Sequence, residues 1–202
     1  MHSIIEGSRI FMSNVAGRKV IEKAKLEIGV VESPAYSNHG TKVEEWQTLF
    51  GIQGYTQSGT PPEPGTIGPA WSACFATSMY VNARVDDEDI GDPAVLTMWK
   101  RAKSLDRISL IPAVGCFTLF GEFNSSGVMT VGHHVGLFVR WHNYARRQMV
   151  IIDGNHRLPD DSNDGVQIRI CNYYKPIPTN AAVKTSFGVP KAIARLDKIS
   201  AH

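Results

Sequence analysis

The sequence changes character once, at Ile111-Pro112. Before that point, apolar residues recur every three or four positions. Val20, Ile21, Ala24 and Ile28 precede Gly29, and Val43, Trp46 and Phe50 precede Gly51. A third set, Phe75, Ala76, Met79, Tyr80 and Ala83, shares one face of residues 72–84. These spacings predict helices, each ending near a glycine or a charged residue, and a fourth helix is expected over 94–103. After Pro112 the pattern becomes short runs rich in β-branched and aromatic residues, at 115–120, 135–140, 148–152 and 166–170, separated by turn residues. Helices followed by strands predict an α+β fold in which N-terminal helices pack on a small antiparallel sheet.

At 202 residues the chain has the size of one domain with extensions. We expect an arm over 1–16, a folded domain over 17–178 and a tail over 179–202, with a short helix near 191–198. The Pro- and Gly-rich stretch 51–70 reads as a surface loop. The acidic run Asp86-Asp87-Glu88-Asp89 lacks EF-hand spacing and reads as solvated. No internal repeat is present.

A net charge of +2, with only short basic clusters at 100–103 and 146–147, argues against a nucleic-acid partner. Cys74, Cys116 and Cys171 are an odd, widely spaced set without a C-x-x-C pair. They fit neither a disulfide scaffold nor a structural zinc site, and suit a reducing compartment. The N-terminus lacks the basic start and apolar run of a signal peptide, and no stretch has the length of a membrane span.

Three stretches carry candidate chemistry. In the first, Trp71-Ser72-Ala73-Cys74-Phe75 follows the Pro/Gly loop, so Ser72 falls where a helix begins. Unpaired N–H groups and the positive end of the helix dipole favour an anionic nucleophile and an oxyanion there. Ser72 and Cys74, two residues apart, are separated by about 200° around the helix, so only one can face a given site. The plainer reading is an N-cap serine above a core cysteine. The second stretch is Gly132-His133-His134-Val135-Gly136 at a strand start; the third is Ile152-Asp153-Gly154-Asn155 at the end of the next strand. Each alone reads as a structural histidine or a hairpin end. Together, adjacent antiparallel strands bring Asp153 or Asn155 beside His134, which orients the imidazole toward a nucleophile. The loop-tip residues Trp141, His142 and Tyr144 either stack on sugar or close a hairpin.

With these residues in view, the chain over about 19–178 resembles the CHAP-type cell-wall hydrolases of phages and bacteria, related to NlpC-type peptidases in the papain-like superfamily. The resemblance rests on Ala24, Ile28-Gly29-Val30, Glu32, Pro34, Ser37-Asn38 and Gly40, on Trp71 to Phe75, on Pro112 and Gly115, on His134-Val135-Gly136, and on Ile152-Asp153-Gly154-Asn155 followed by Gly165-Val166. It implies a papain-like fold and amide hydrolysis in peptidoglycan without a metal or cofactor. Ser72 would be the nucleophile, His134 the base and acid, Asp153 and Asn155 its orienters, and Ala73 N–H an oxyanion donor. Trp71, Asn38 and His133 would contact substrate. It also implies a phage virion or the host cytoplasm before lysis as location, with peptidoglycan and other virion or tail proteins as partners.

The family usually has cysteine at the position of Ser72. Cysteine attacks as a thiolate, whereas serine must give up its proton during attack. Three accounts follow: Ser72 is the nucleophile; catalysis is lost and the domain serves as a virion or wall-binding protein; or serine was introduced in place of a natural cysteine. Cys74 as nucleophile would need a shifted helix start. The aspartate usual in the family at the position of Cys116 is also missing. A peptidase or deamidase directed at host proteins is a further alternative.

Overall fold

The computed structural model describes residues 15–52, 70–85, 90–109, 111–173 and 184–188. Among these residues four helices come first: α1 (Val15–Leu26), α2 (Thr41–Thr48), α3 (Ser72–Ala83) and α4 (Val95–Ser104). Six strands follow: β1 (Ile108–Ser109), β2 (Phe117–Phe123), β3 (Met129–Asn143), β4 (Gln148–Arg157), β5 (Asp164–Asn172) and β6 (Lys184–Gly188). They form one antiparallel sheet in the order β1-β6-β2-β3-β4-β5. The α+β expectation therefore holds at this level.

Helix α3 is the centre of the helical layer. Small and apolar residues surround it, ten of its twelve residues are buried, and a helix apolar on all sides belongs in a core. Phe75, Met79 and Tyr80 join Val135, Leu137 and Ile152 of the sheet in the larger apolar cluster, together with Val20 and Ala24 of α1 and Met98 of α4. Alternate residues on the strands point the other way. Phe138, Met149, Ile151 and Phe187 form a second cluster, against which Phe120 and Cys171 pack.

Two close approaches require glycine. A Cβ on Gly115, at φ 82°, would lie 2.6 Å from Gly17 Cα of α1. One on Gly132 would lie 2.5 Å from the Leu96 backbone nitrogen of α4. Backbone pairing then ties the segment after α1 to the edge of the sheet. Gly29 N–H donates to the Val166 carbonyl (3.0 Å), Val166 N–H to that of Val30 (2.8 Å), and Glu32 N–H to that of Asp164 (3.1 Å).

Several differences from the sequence-based expectation have local causes. Helix α1 begins at Val15, inside the expected arm. Strand β3 begins at Met129, six residues before the apolar run that signalled it, because Gly132, His133 and His134 do not look strand-forming. The expected tail contributes β6, which pairs with both β1 and β2. Five residues containing one large apolar side chain are too short to show a period. The expected arm over 1–14, most of the 51–70 loop, the acidic run and the 191–198 helix lie outside the described residues.

Candidate functional site

Two irregularities in the sheet build the site. Between β2 and β3, Phe120 pairs with His134, but Gly121 pairs with Gly132, so His133 is an extra residue on β3. Between β4 and β5, Asp153 pairs with Gln167, whereas His156 pairs with Gly165, so β4 also carries one extra residue. Asn155 takes up the second insertion with φ 55°, a left-handed conformation that asparagine tolerates better than most residues. In a regular strand Asp153 and His156 would face opposite ways. The bulge turns both to the same side, and the His156 ring comes to rest 5.7 Å from that of His134.

His134 Nε2 lies 2.8 Å from Asp153 Oδ2. Arg169, on β5, donates to the same oxygen from Nε at 2.8 Å and from Nη2 at 2.7 Å. Asp153 is fully buried, and its Oδ1 has no hydrogen-bond partner among the described residues. Burial pushes its pKa up, but the hydrogen bond and charge of His134 and the Arg169 guanidinium outweigh burial, so the carboxyl sits below its ordinary value. An ionised carboxylate only accepts, so the proton in the bond to His134 belongs to Nε2. Nδ1 is therefore the unprotonated nitrogen of neutral His134, and it has no protein partner among the described residues.

Ser72 opens α3. Trp71, the residue before it, is wholly buried, and its indole Nε1 donates to Glu32 Oε1 at 2.8 Å. Glu32 is itself buried, and its Oε2 accepts the Asn38 N–H at 3.0 Å. The Trp71 ring lies flush on β4, where a Cβ on Gly154 would come within 2.2 Å of Trp71 Cζ3. The start of α3 is thus seated against the residue between Asp153 and Asn155. No side chain caps it, and the first helical bond runs from Phe75 N–H to the Trp71 carbonyl. The Ala73 N–H precedes that bond and is among the unpaired donors of the first turn. Ser72 Oγ makes no hydrogen bond to His134 or to any other described residue.

The structure places the remaining expected residues as follows. Trp71 has no exposed surface and cannot touch a substrate; it positions the helix start. Asn38 supports Glu32 from the loop behind it and donates its backbone N–H there. Cys74 is fully buried, and burial pushes its thiol up to about 12, so no thiolate forms there near neutral pH. His133 occupies the bulge on β3, with its ring 3.1 Å from Glu122 at the surface. The Asn155 side chain makes no hydrogen bond among the described residues, and its contribution is the backbone turn. Trp141 meets Phe138, Tyr144 and Tyr173 edge-on at 5.2 to 5.8 Å, the packing of a closed hairpin.

Sequence reasoning did not find Arg169, His156 or the Glu32 to Trp71 bond. Arg169 lies between Ile168 and Ile170, and an apolar-in, polar-out strand would turn it to solvent. On this edge strand both isoleucines are about half exposed, and the arginine faces the site. No cluster of three or more metal-ligating residues occurs among the described residues. No helix among them is long and apolar enough to cross a membrane. Compared with known proteins, the chain matches no family model, no curated protein and no solved structure.

Proposed function

We propose that the protein is an amide hydrolase of papain-like architecture that acts on peptidoglycan. The observation that carries this reading is the 2.8 Å bond from His134 Nε2 to a buried, ionised Asp153. It leaves Nδ1 as the base, in a cavity on the face of the sheet turned away from α3. In the reaction that the sequence resemblance implies, Ser72 Oγ attacks the amide carbonyl as His134 Nδ1 takes its proton, which requires the buried start of α3 to open toward the His134 cavity. The Ala73 N–H at the helix start holds the oxyanion. His134 then gives the proton to the leaving amine, and a water activated at Nδ1 releases the acyl group. Asp153 holds the imidazole in one tautomer and one orientation throughout. Asn155 shapes the turn that supports it. Peptidoglycan as substrate, and the phage setting, follow from the sequence resemblance.

The test is clearing of purified peptidoglycan by the chain as it stands, beside Ser72→Ala, Ser72→Cys and His134→Ala. Clearing by the unaltered chain that is lost in Ser72→Ala and His134→Ala supports the mechanism, and clearing that persists in His134→Ala overturns it. Activity in Ser72→Cys alone would mean that the site is built for sulfur.

A second reading, a wall-binding or virion protein without turnover, is favoured by Arg169. Its guanidinium engages the very oxygen that holds His134, so the Asp153 charge is balanced without catalysis. Co-sedimentation with peptidoglycan and no release of soluble fragments by any of the variants would support it.

A further inference from the structure

The face of the sheet that carries His134 opens into a cavity of about 510 Å³, lined among others by Phe120, His133, His134, His156 and Arg169. The bulge at Asn155 has no evident use in holding the His134 to Asp153 pair, since Asp153 precedes it. What it does is turn His156 into this cavity. The His156 ring makes no hydrogen bond among the described residues, so its N–H is available to a ligand. Arg169 spends Nε and Nη2 on Asp153 and keeps Nη1 without a partner among those residues.

The charges around the cavity are one-sided. No carboxylate is among the described residues that line it. The carboxylates nearby are already engaged: Asp153 with Arg169 and His134, Asp164 with Arg157 at 3.0 Å, and Glu122 with His133 at 3.1 Å. Phe120 supplies an apolar wall, its ring 6.0 Å from that of His134 and 6.0 Å from the Arg169 guanidinium carbon. An imidazole N–H, a guanidinium N–H and an aromatic wall match a small group with a planar anionic end and an apolar stem.

We infer that this cavity binds the free carboxylate of a peptide substrate, held by His156 and Arg169, within about one residue of the bond that His134 addresses. This rests on the amide-hydrolase reading for the scissile bond, but binding of the carboxylate does not need turnover. The 5.7 Å between the two imidazole centres sets the reach. An amide next to a chain-terminal or side-chain carboxylate fits it, and an amide deep inside an uncharged chain does not.

The experiment is a titration of the full-length protein with N-acetyl-alanine (both enantiomers), N-acetylalaninamide and inorganic phosphate, followed by NMR of the histidine rings. His156→Leu and His156→Phe, which carry no donor, assign the His156 signal, and their melting temperatures confirm that they fold. The inference expects the carboxylate, and not the amide, to shift the His156 and His134 signals. It also expects both variants to bind about tenfold more weakly, the loss implied by one hydrogen bond to a charged group. Equal binding of the amide, undiminished binding by both variants, or phosphate binding more tightly than the carboxylate would overturn it. Carboxylate binding without wall clearing would leave the subsite standing and remove the hydrolase reading. Clearing without carboxylate binding would do the reverse.

Discussion

Trp71 and Glu32 are bonded through indole Nε1 and Oε1 at 2.8 Å, with both side chains out of contact with water. The bond joins the loop after α1 to the start of α3, and the Trp46 ring, 5.4 Å from that of Trp71, backs it. Trp71→Phe keeps most of the ring packing and removes the donor, leaving a buried carboxylate oxygen unpaired. We expect a loss of about 1–3 kcal/mol in urea unfolding. Glu32→Gln should cost about as much, because its amide oxygen replaces only one of two acceptors and its NH2 must face the N–H of Trp71 or of Asn38. No measurable loss for Trp71→Phe would show that the bond is not what holds the loop.

Gly154 is the contact between that helix start and the strand of Asp153. A methyl group there would meet the Trp71 ring at 2.2 Å, with Phe75 Cβ at 3.1 Å behind it. Buried rings on both sides leave little room to yield. Gly154→Ala is expected to destabilise by about 1–3 kcal/mol or more, the usual cost of overpacking. It should also disturb the His134 ring signal, because strand and helix must part. Thermal melts and NMR of the variant check both.

Removing one partner of a buried ion pair costs more than the pair contributes. Asp153→Asn leaves the Arg169 guanidinium without its counter-charge, and we expect about 3–5 kcal/mol of lost stability. Arg169→Gln should be less harmful, because His134 still donates to Asp153. Chemical denaturation of the two variants gives the comparison, and equal losses would place the weight on the Arg169 pair and not on the histidine.

Stability should fall as pH falls, in two steps. Burial lowers the proton affinity of His39, against the opposing pull of Glu44 and Glu32. Burial and then the Arg169 charge do the same to His156. A histidine whose folded value lies below its ordinary 6.5 binds fewer protons folded than unfolded, so stability is full above that value and drops as pH goes below it. Asp153, also lowered, contributes stability above its ordinary carboxylate value and loses it as pH falls through its folded value. The melting temperature at pH 5.5 should therefore lie below that at pH 7.5, with a further drop below pH 4. His156→Gln should flatten part of the first step.

The thiols give a reading of the helix start. Cys74 and Cys116 are buried, and burial pushes each up to about 12. The partly buried Cys171 is pushed up to about 11. None should react quickly with a disulfide reagent in the native protein at pH 7, since the thiolate is the reactive form. In Ser72→Cys a single new thiol would sit at an uncapped helix start. If that thiol reacts faster than free cysteine at pH 6 to 7, the site lowers its proton affinity. If it is as inert as Cys74, the position is not one for a nucleophile.

The four helices and the strands β2 to β5 were legible because each buries a face and so shows its period. Val20, Ile21 and Ala24 announce α1, and Met149 to Ile152 announce β4. Strands β1 and β6 were not legible, since two and five residues carry no pattern. The pairing of His134 with Asp153 could be anticipated because neighbouring antiparallel strands place the start of one beside the end of the other. Arg169 could not, because edge-strand Ile168 and Ile170 reverse the usual rule of apolar in and polar out. His156 could not either, since at three residues from Asp153 it belongs on the opposite face unless a bulge intervenes, and Asp-Gly-Asn reads equally well as an ordinary turn.

The extra residue at Asn155 makes the site a matter of counting as much as of chemistry. Deleting Asn155 would leave every charged and aromatic group of the cavity in the chain. It would restore an even ladder between β4 and β5 and swing His156 through half a turn to the other side. Substituting Asn155 keeps the count and strains only one backbone angle. The cavity should therefore tolerate a change of residue at 155 far better than its removal. A homologous strand that preserves the histidine but lacks the additional position would present an unrelated surface.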